Sequence, residues 1–243
     1  MKRLLIVLAL VVMASIITIA QTNNNLYWSN RIKVKMDKKL EFEKKLPALL
    51  KTHYPQFKFR TYEVLTGKNT GTYVVVAGPI SYKDLDAPPV FPKGEALAKT
   101  DDQALAALCE SYEVNYFLRQ DDISTNNPNR KIKYLEVTSF ELAPGQWQRM
   151  HDVIVEAREA ISLAGSKSDY AFFRPSSSGP SNAFNRVRYV EKLEELGIQE
   201  DWAGPYDKVH GANAFSRKVE DYYSLIKSYT DELRVLREDM SVN

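Results

Sequence analysis

Few side chains in this sequence have types and spacing suited to chemistry. Its three histidines are His53, His151 and His210, and histidine is the residue whose charge changes near neutral pH. His151 follows Trp147 by one helical turn, so on an inward face it could serve as a base or hold a cofactor's iron. The apolar stripe Trp147, Met150, Ile154, Ala157 and Ile161 leaves position 151 at its edge, which favours a boundary histidine. His53 precedes the turn Tyr54-Pro55 and reads as exposed. His210, in Lys208 to Asn213, reads as a loop group capping or meeting solvent, although loops also hold binding residues. No histidine has a partner at metal-ligand spacing, so no metal site is expected. The single cysteine, Cys109, cannot form an internal disulfide. It falls in a stripe with Leu105, Leu108 and Tyr112 that reads as a helix face, hence as core.

A second set of candidates lies in segments of strand periodicity: Arg60, Tyr62, Arg119, Arg174, Arg186, Arg188 and Arg237. Charges turned inward are costly unless paired, so they would call for an anionic ligand or internal carboxylates such as Glu63 and Glu136. Outward-facing arginines at sheet edges would need neither. With Trp147, the residues Tyr62, Arg119, Arg174, Arg188 and Arg237 form the expected ligand-binding set for a small hydrophobic or anionic molecule. The run Ser176-Ser177-Ser178-Gly179 joins two strands without the helix and lysine of a phosphate loop, and reads as a hairpin. No Gly-x-Ser-x-Gly, His-Glu-x-x-His or paired-cysteine motif occurs.

These residues must be placed by elements whose order is legible. Alternation predicts a strand over residues 27–36. A helix follows, started by Asp37, lined by Phe42, Leu46, Leu49 and Leu50, and kinked or split at Pro47. Strands follow over 57–65 and 73–77 across the loop Thr66-Gly67-Lys68-Asn69-Thr70-Gly71. The proline-rich stretch 81–100 reads as a surface excursion, and a helix over 102–112 leads into a strand over 114–120. The second half repeats the order: strand 133–142, the long helix after Pro144, strands 170–174 and 184–190, an excursion over 197–213, and a closing helix carrying Phe215, Val219, Tyr222, Ile226 and Tyr229. A last strand covers 232–237.

An internal repeat supports this division. Residues 105–124 return as 222–241 at one constant offset: Leu105 meets Tyr222, Leu108 meets Leu225, Cys109 meets Ile226, and Asp122-Ile123-Ser124 meets Asp239-Met240-Ser241. Each half is then β-α-β-β-α-β, the split βαβ arrangement. The expected fold class is α+β: two tandem ferredoxin-like units, residues 21–128 and 129–243, packed sheet to sheet as an intramolecular dimeric α/β barrel. This order, with the repeated strand-end signals, resembles the dimeric α/β-barrel superfamily, nearest to NIPSNAP-type and antibiotic-biosynthesis-monooxygenase-type domains. The resemblance implies a cavity. It names no reaction, because the superfamily includes cofactor-free oxygenases, haem-binding or haem-degrading proteins and isomerases.

Charge and leader bound the rest. Lys2 and Arg3 precede an apolar run from Leu4 to Ala20, which reads as a signal peptide over residues 1–20 cleaved after Ala20. Uncleaved, it would be a membrane anchor at the short end of the roughly 17–25 residues that span a bilayer. Of 33 basic residues against 31 acidic, those two lie in the leader, so the remainder is formally neutral and unsuited to nucleic acid. The expectation is an exported, non-enzymatic protein, periplasmic or secreted, monomer or homodimer, binding a small ligand or a protein partner through a barrel cavity or its excursion loops. The alternative is a monooxygenase-like or haem-associated enzyme centred on His151 or His210, with haem as cofactor only in that case.

Overall fold

The computed structural model describes residues 25–86, 103–125, 127, 129–176 and 180–242. Its strands are β1 (Leu26–Val34), β2 (Phe59–Val64), β3 (Tyr73–Ile80), β4 (Cys109–Arg119), β5 (Tyr134–Leu142), β6 (Asp169–Pro175), β7 (Ala183–Val190) and β8 (Ile226–Leu236). They close into one antiparallel barrel in the order β1-β3-β2-β8-β5-β7-β6-β4. Each half therefore contributes four strands in the ferredoxin-like order, and the halves meet along two short seams. Tyr62 to Val64 pair with Leu236 to Arg234, and Phe117 to Arg119 pair with Pro175 to Phe173. This is the tandem arrangement that the repeat predicts.

Alternation along the strands sends one set of side chains into the barrel and the other outward under helices. Tyr62, Leu135, Val137, Ala171, Phe173 and Val187 fill the interior. Outside the first half, α1 (Lys39–His53) lays Phe42, Leu46 and Leu50 against Leu26, Phe59, Tyr73 and Val75. Outside the second, α3 (Trp147–Leu163) lays Met150, Val153 and Ile154 against Phe140, Phe172 and Phe184. Pro47 lies inside α1 without splitting it, because buried Leu46 and Leu50 hold the helix on both sides. His53 is buried on that same face, which corrects its reading as exposed.

Three further expectations need correction. The helix read over 102–112 is a helical turn at 103–106, and β4 already begins at Cys109, because residues 109–118 pair with the whole of β1. Tyr112 is accordingly a strand residue and exposed, and Cys109 is half-buried. The closing helix is likewise shorter: α5 (Ala214–Ser224) ends before Ile226 and Tyr229, which belong to β8. Residues 197–213 hold a packed helix, α4 (Ala203–His210), whose Tyr206 is buried against Ala160 and Ala214. Ser81 caps a short helix α2 (Tyr82–Leu85) through a capping box with Asp84. The rest of the proline-rich stretch, the leader at 1–20 and residue 128 at the division between halves lie outside the described residues. No described helix is long and apolar enough to cross a membrane.

Candidate functional site

A cavity of about 410 Å³ opens between the outer face of the second half-sheet and its three helices. It lies outside the barrel, on the opposite face of the sheet from the expected barrel cavity. Its floor is β6 and β7, through Tyr170, Phe172 and Arg186. Helix α3 supplies Val153, Ile154, Ala157 and Ile161. Trp202, Tyr206, Phe215, Val219 and Tyr222 complete the walls from α4, α5 and the segment before them. The space exists because α4 and α5 pack on α3 around Ala160 and Ala214, small residues that bring the backbones close while the aromatic side chains splay around the void.

Its polar groups are few. Arg186 donates from Nη2 to Thr138 Oγ1 at 3.1 Å, and its guanidinium stands 5.9 Å from the ring centroids of both Phe140 and Tyr170. No carboxylate forms an ion pair with it among the described residues. The hydroxyl of Tyr222 is buried and has no hydrogen-bond partner there. Burial pushes that phenol well above its ordinary value, so it stays protonated at neutral pH. Several other lining groups have partners within the protein, Arg158 donating to the Asp122 carbonyl. Trp202 Nε1 donates to Glu200 Oε2 at 2.7 Å and Ser166 donates to the same oxygen, fixing the segment that leads into α4. Lys218 pairs with Glu156 where both side chains are about two-fifths exposed, and that pair marks the mouth.

The histidines expected to matter lie elsewhere. His151 Nε2 is 2.5 Å from Asp122 Oδ2, and its ring is 6.1 Å from that of Trp147. His210 Nε2 is 3.1 Å from Glu159 Oε1, and its ring stacks on Tyr206 at 4.3 Å. None of His151, His210 and Trp147 lines the cavity.

Most of the strand arginines meet internal partners. Arg188 reaches Glu136 at 3.5 Å and the Glu195 carbonyl at 2.8 Å. Arg237 reaches Glu43, Glu63 and Asp239 at 3.0, 2.9 and 2.8 Å. Arg119 pairs with Asp121 and donates to the Thr125 carbonyl at 2.6 Å. Arg174 lies 4.2 Å over the Trp147 ring and Tyr62 is buried inside the barrel, so neither joins the cavity. Of the strand residues singled out in the sequence, Arg186 alone lines it. Tyr222, Trp202 and Tyr206 were not legible as site residues, since one sits in a helix stripe and two in a stretch that reads as a loop.

Comparison with protein-family models and with curated proteins finds no match. Solved structures do match. A protein from Lactobacillus acidophilus NCFM, provisionally assigned as a monooxygenase, is 8% identical with a TM-score of 0.55, over 90% of this chain and 95% of its own. An anthrone oxidase-like protein is 10% identical with a TM-score of 0.54, over 89% and 92%. A chlorite dismutase from Candidatus Nitrospira defluvii is 8% identical with a TM-score of 0.54, over 90% and 93%. At these identities the likeness establishes the dimeric α/β-barrel fold and nothing finer.

The resemblance implies haem for part of the superfamily. Haem iron is usually held by histidine, cysteine or methionine, less often by tyrosine. The lining contains none of the first three, and His151 and His210 are engaged outside it. The residues present therefore do not fit a histidine-held haem in this cavity.

Proposed function

We propose that this chain binds a small, largely apolar molecule in the cavity of its second half. The observation that carries this reading is the void itself, about 410 Å³ walled by aromatic and aliphatic side chains, within the range of pockets that take small organic ligands. Under α1, among the described residues, Trp28, Tyr54, Phe57 and Phe59 pack edge to face against one another. Titration with the neutral fluorophore N-phenyl-1-naphthylamine tests the reading. Saturable binding that Ala157→Phe abolishes, with the thermal melt retained, supports it. A flat titration of the folded parent chain sinks it.

A second reading, a monooxygenase-like enzyme, is favoured by the fold shared with the assigned monooxygenase and the anthrone oxidase-like protein. On that reading the cavity accepts a phenolic polycycle, with Arg186 and the Tyr222 hydroxyl beside its oxygen atoms. Oxygen uptake on adding an anthrone, lost in Tyr222→Phe, supports catalysis. No uptake with a bound anthrone leaves the chain a binding protein. Export is part of the proposal, and a mature mass beginning at Gln21 in cells that secrete the chain tests it.

A further inference from the structure

We infer that the cavity takes an amphipathic anion, its charged head held by Arg186 and the Tyr222 hydroxyl and its apolar body by the surrounding aromatic walls. This rests on the cavity being a binding site, as proposed above.

The strands supply the register. Thr138 pairs with Arg186 and Phe140 with Phe184 on β5 and β7, as Asn30 pairs with Val75 and Ile32 with Tyr73 on β1 and β3. Register shifts at Lys33/Val34 and at Glu141/Leu142 mark the same place in each half. Val75 is thus the first-half counterpart of Arg186. The repeat makes Leu105 the counterpart of Tyr222. Val75 is buried and Leu105 packs against the same core. Both positions are apolar in the aromatic-packed core of the first half, and both carry polar groups beside the cavity of the second.

Neither polar group is explained by the protein around it. A guanidinium carries five N–H donors, and the described residues account for one donation from Arg186, to Thr138. Cation–π contact with Phe140 and Tyr170 offsets part of its desolvation and uses no donor. The Tyr222 hydroxyl is buried and has no hydrogen-bond partner among the described residues, a state rare enough in folded proteins to need a reason. The charge of Arg186 acts on that same phenol, so the two groups serve one locality. Two donors, one of them cationic, ask for an anionic acceptor. Lys218 does not compete for it, being paired with Glu156.

Two probes of one skeleton separate head from body: 8-anilinonaphthalene-1-sulfonate and the neutral N-phenyl-1-naphthylamine, titrated against the full chain. Arg186→Met should weaken the sulfonate probe by ~10-fold or more, the order of a lost charge-assisted hydrogen bond, and leave the neutral probe within about twofold. Tyr222→Phe, which keeps the ring and removes only the hydroxyl, should weaken the sulfonate probe by roughly fivefold and spare the neutral one. Arg149→Met, an exposed change of the same charge, should alter neither. Equal weakening of both probes, or no change in either, overturns the anionic head while the cavity stands. Failure of both probes to bind the parent chain overturns the cavity reading as well. Should Arg186→Met not fold, the isosteric Tyr222→Phe decides alone.

Discussion

Arg237 Nη1 lies 2.9 Å from Glu63 Oε2, so a residue of the second half closes on β2 of the first at the seam where β8 meets β2. The same guanidinium reaches Glu43 at 3.0 Å and Asp239 at 2.8 Å. The backbone adds to this latch, with Arg237 N donating to the Thr61 carbonyl and Phe59 N to the Val242 carbonyl.

Removing Arg237 leaves three carboxylates facing one another across that seam. Arg237→Ala should lower stability by about 1–3 kcal/mol, below the figure for a fully buried pair because the site is partly solvated. Denaturant melts check this. Hydrogen bonds from Arg237 hold the Glu43 and Asp239 carboxyls below their ordinary values. Groups with depressed folded values contribute stability above their unfolded pKa values, about 4, and lose it as pH falls through the folded ones. The parent should therefore weaken on acidification below about pH 4, and the variant should show a shallower acid limb.

His151 and Asp122 form a tight pair beside Trp147, one turn of α3 before the lining residue Ile154, and His151 is not itself part of the cavity lining. His151→Gln should leave binding of N-phenyl-1-naphthylamine within about twofold of the parent and cost on the order of 1 kcal/mol, the scale of one ordinary hydrogen bond, since Asp122 is solvent-exposed. A tenfold loss of probe affinity, at an unchanged melt, would make His151 part of the binding apparatus.

What the sequence shows and what it hides follow from which signals are local. The repeat at 105–124 and 222–241 is local, and it lands on two matched strands, Cys109–Arg119 and Ile226–Leu236. Its helical stripe misleads, because spacing that suits a helix over Leu105, Leu108, Cys109 and Tyr112 also fits a turn running into a strand, and pairing with β1 decides between them. Glu63 and Glu136 are legible as arginine partners, but they meet Arg237 and Arg188 on the helix-covered face and not inside the barrel. Which face a strand arginine takes depends on register, and a shift of one residue reverses it. The cavity depends on Trp202 and Tyr206 returning over α3 from a stretch with loop composition, and no periodic pattern announces that return.

The repeat also predicts what Cys109 tolerates. Its counterpart is Ile226, and its thiol is half-buried and donates to the Leu105 carbonyl at 3.3 Å. Cys109→Ile adds volume at a half-buried position whose counterpart already holds that side chain, so it should cost no more than about 1–3 kcal/mol, the range for added methylenes. Burial pushes the thiol up, against the smaller opposing effect of Lys35. Alkylation by iodoacetamide at pH 8 should therefore run slower than for a free cysteine and accelerate above pH 9. Labelling at the free-thiol rate would place this side chain in solvent.

Glu232 is the side chain on which the second polar cluster depends. It is 7% exposed, and its Oε2 accepts from Arg31 and from Arg234, both at 2.9 Å, while Asn69 donates to Oε1. Glu232→Gln keeps the shape but leaves two guanidinium groups, one on a side chain only 12% exposed, around a neutral amide. Uncompensated charge of this kind costs about 3–5 kcal/mol, which for a chain of this size lowers Tm by roughly 10 °C. Burial opposes ionisation of this carboxyl, but the Arg234 charge and the bonds from Asn69 and Arg31 outweigh it and hold the pKa below the ordinary value. Its contribution is thus complete above about pH 4.3 and disappears as pH falls through the lower folded value. The parent and the variant should differ most in Tm near pH 7 and converge toward pH 2. Parallel melts across that range would show that the ion cluster adds no stability of its own.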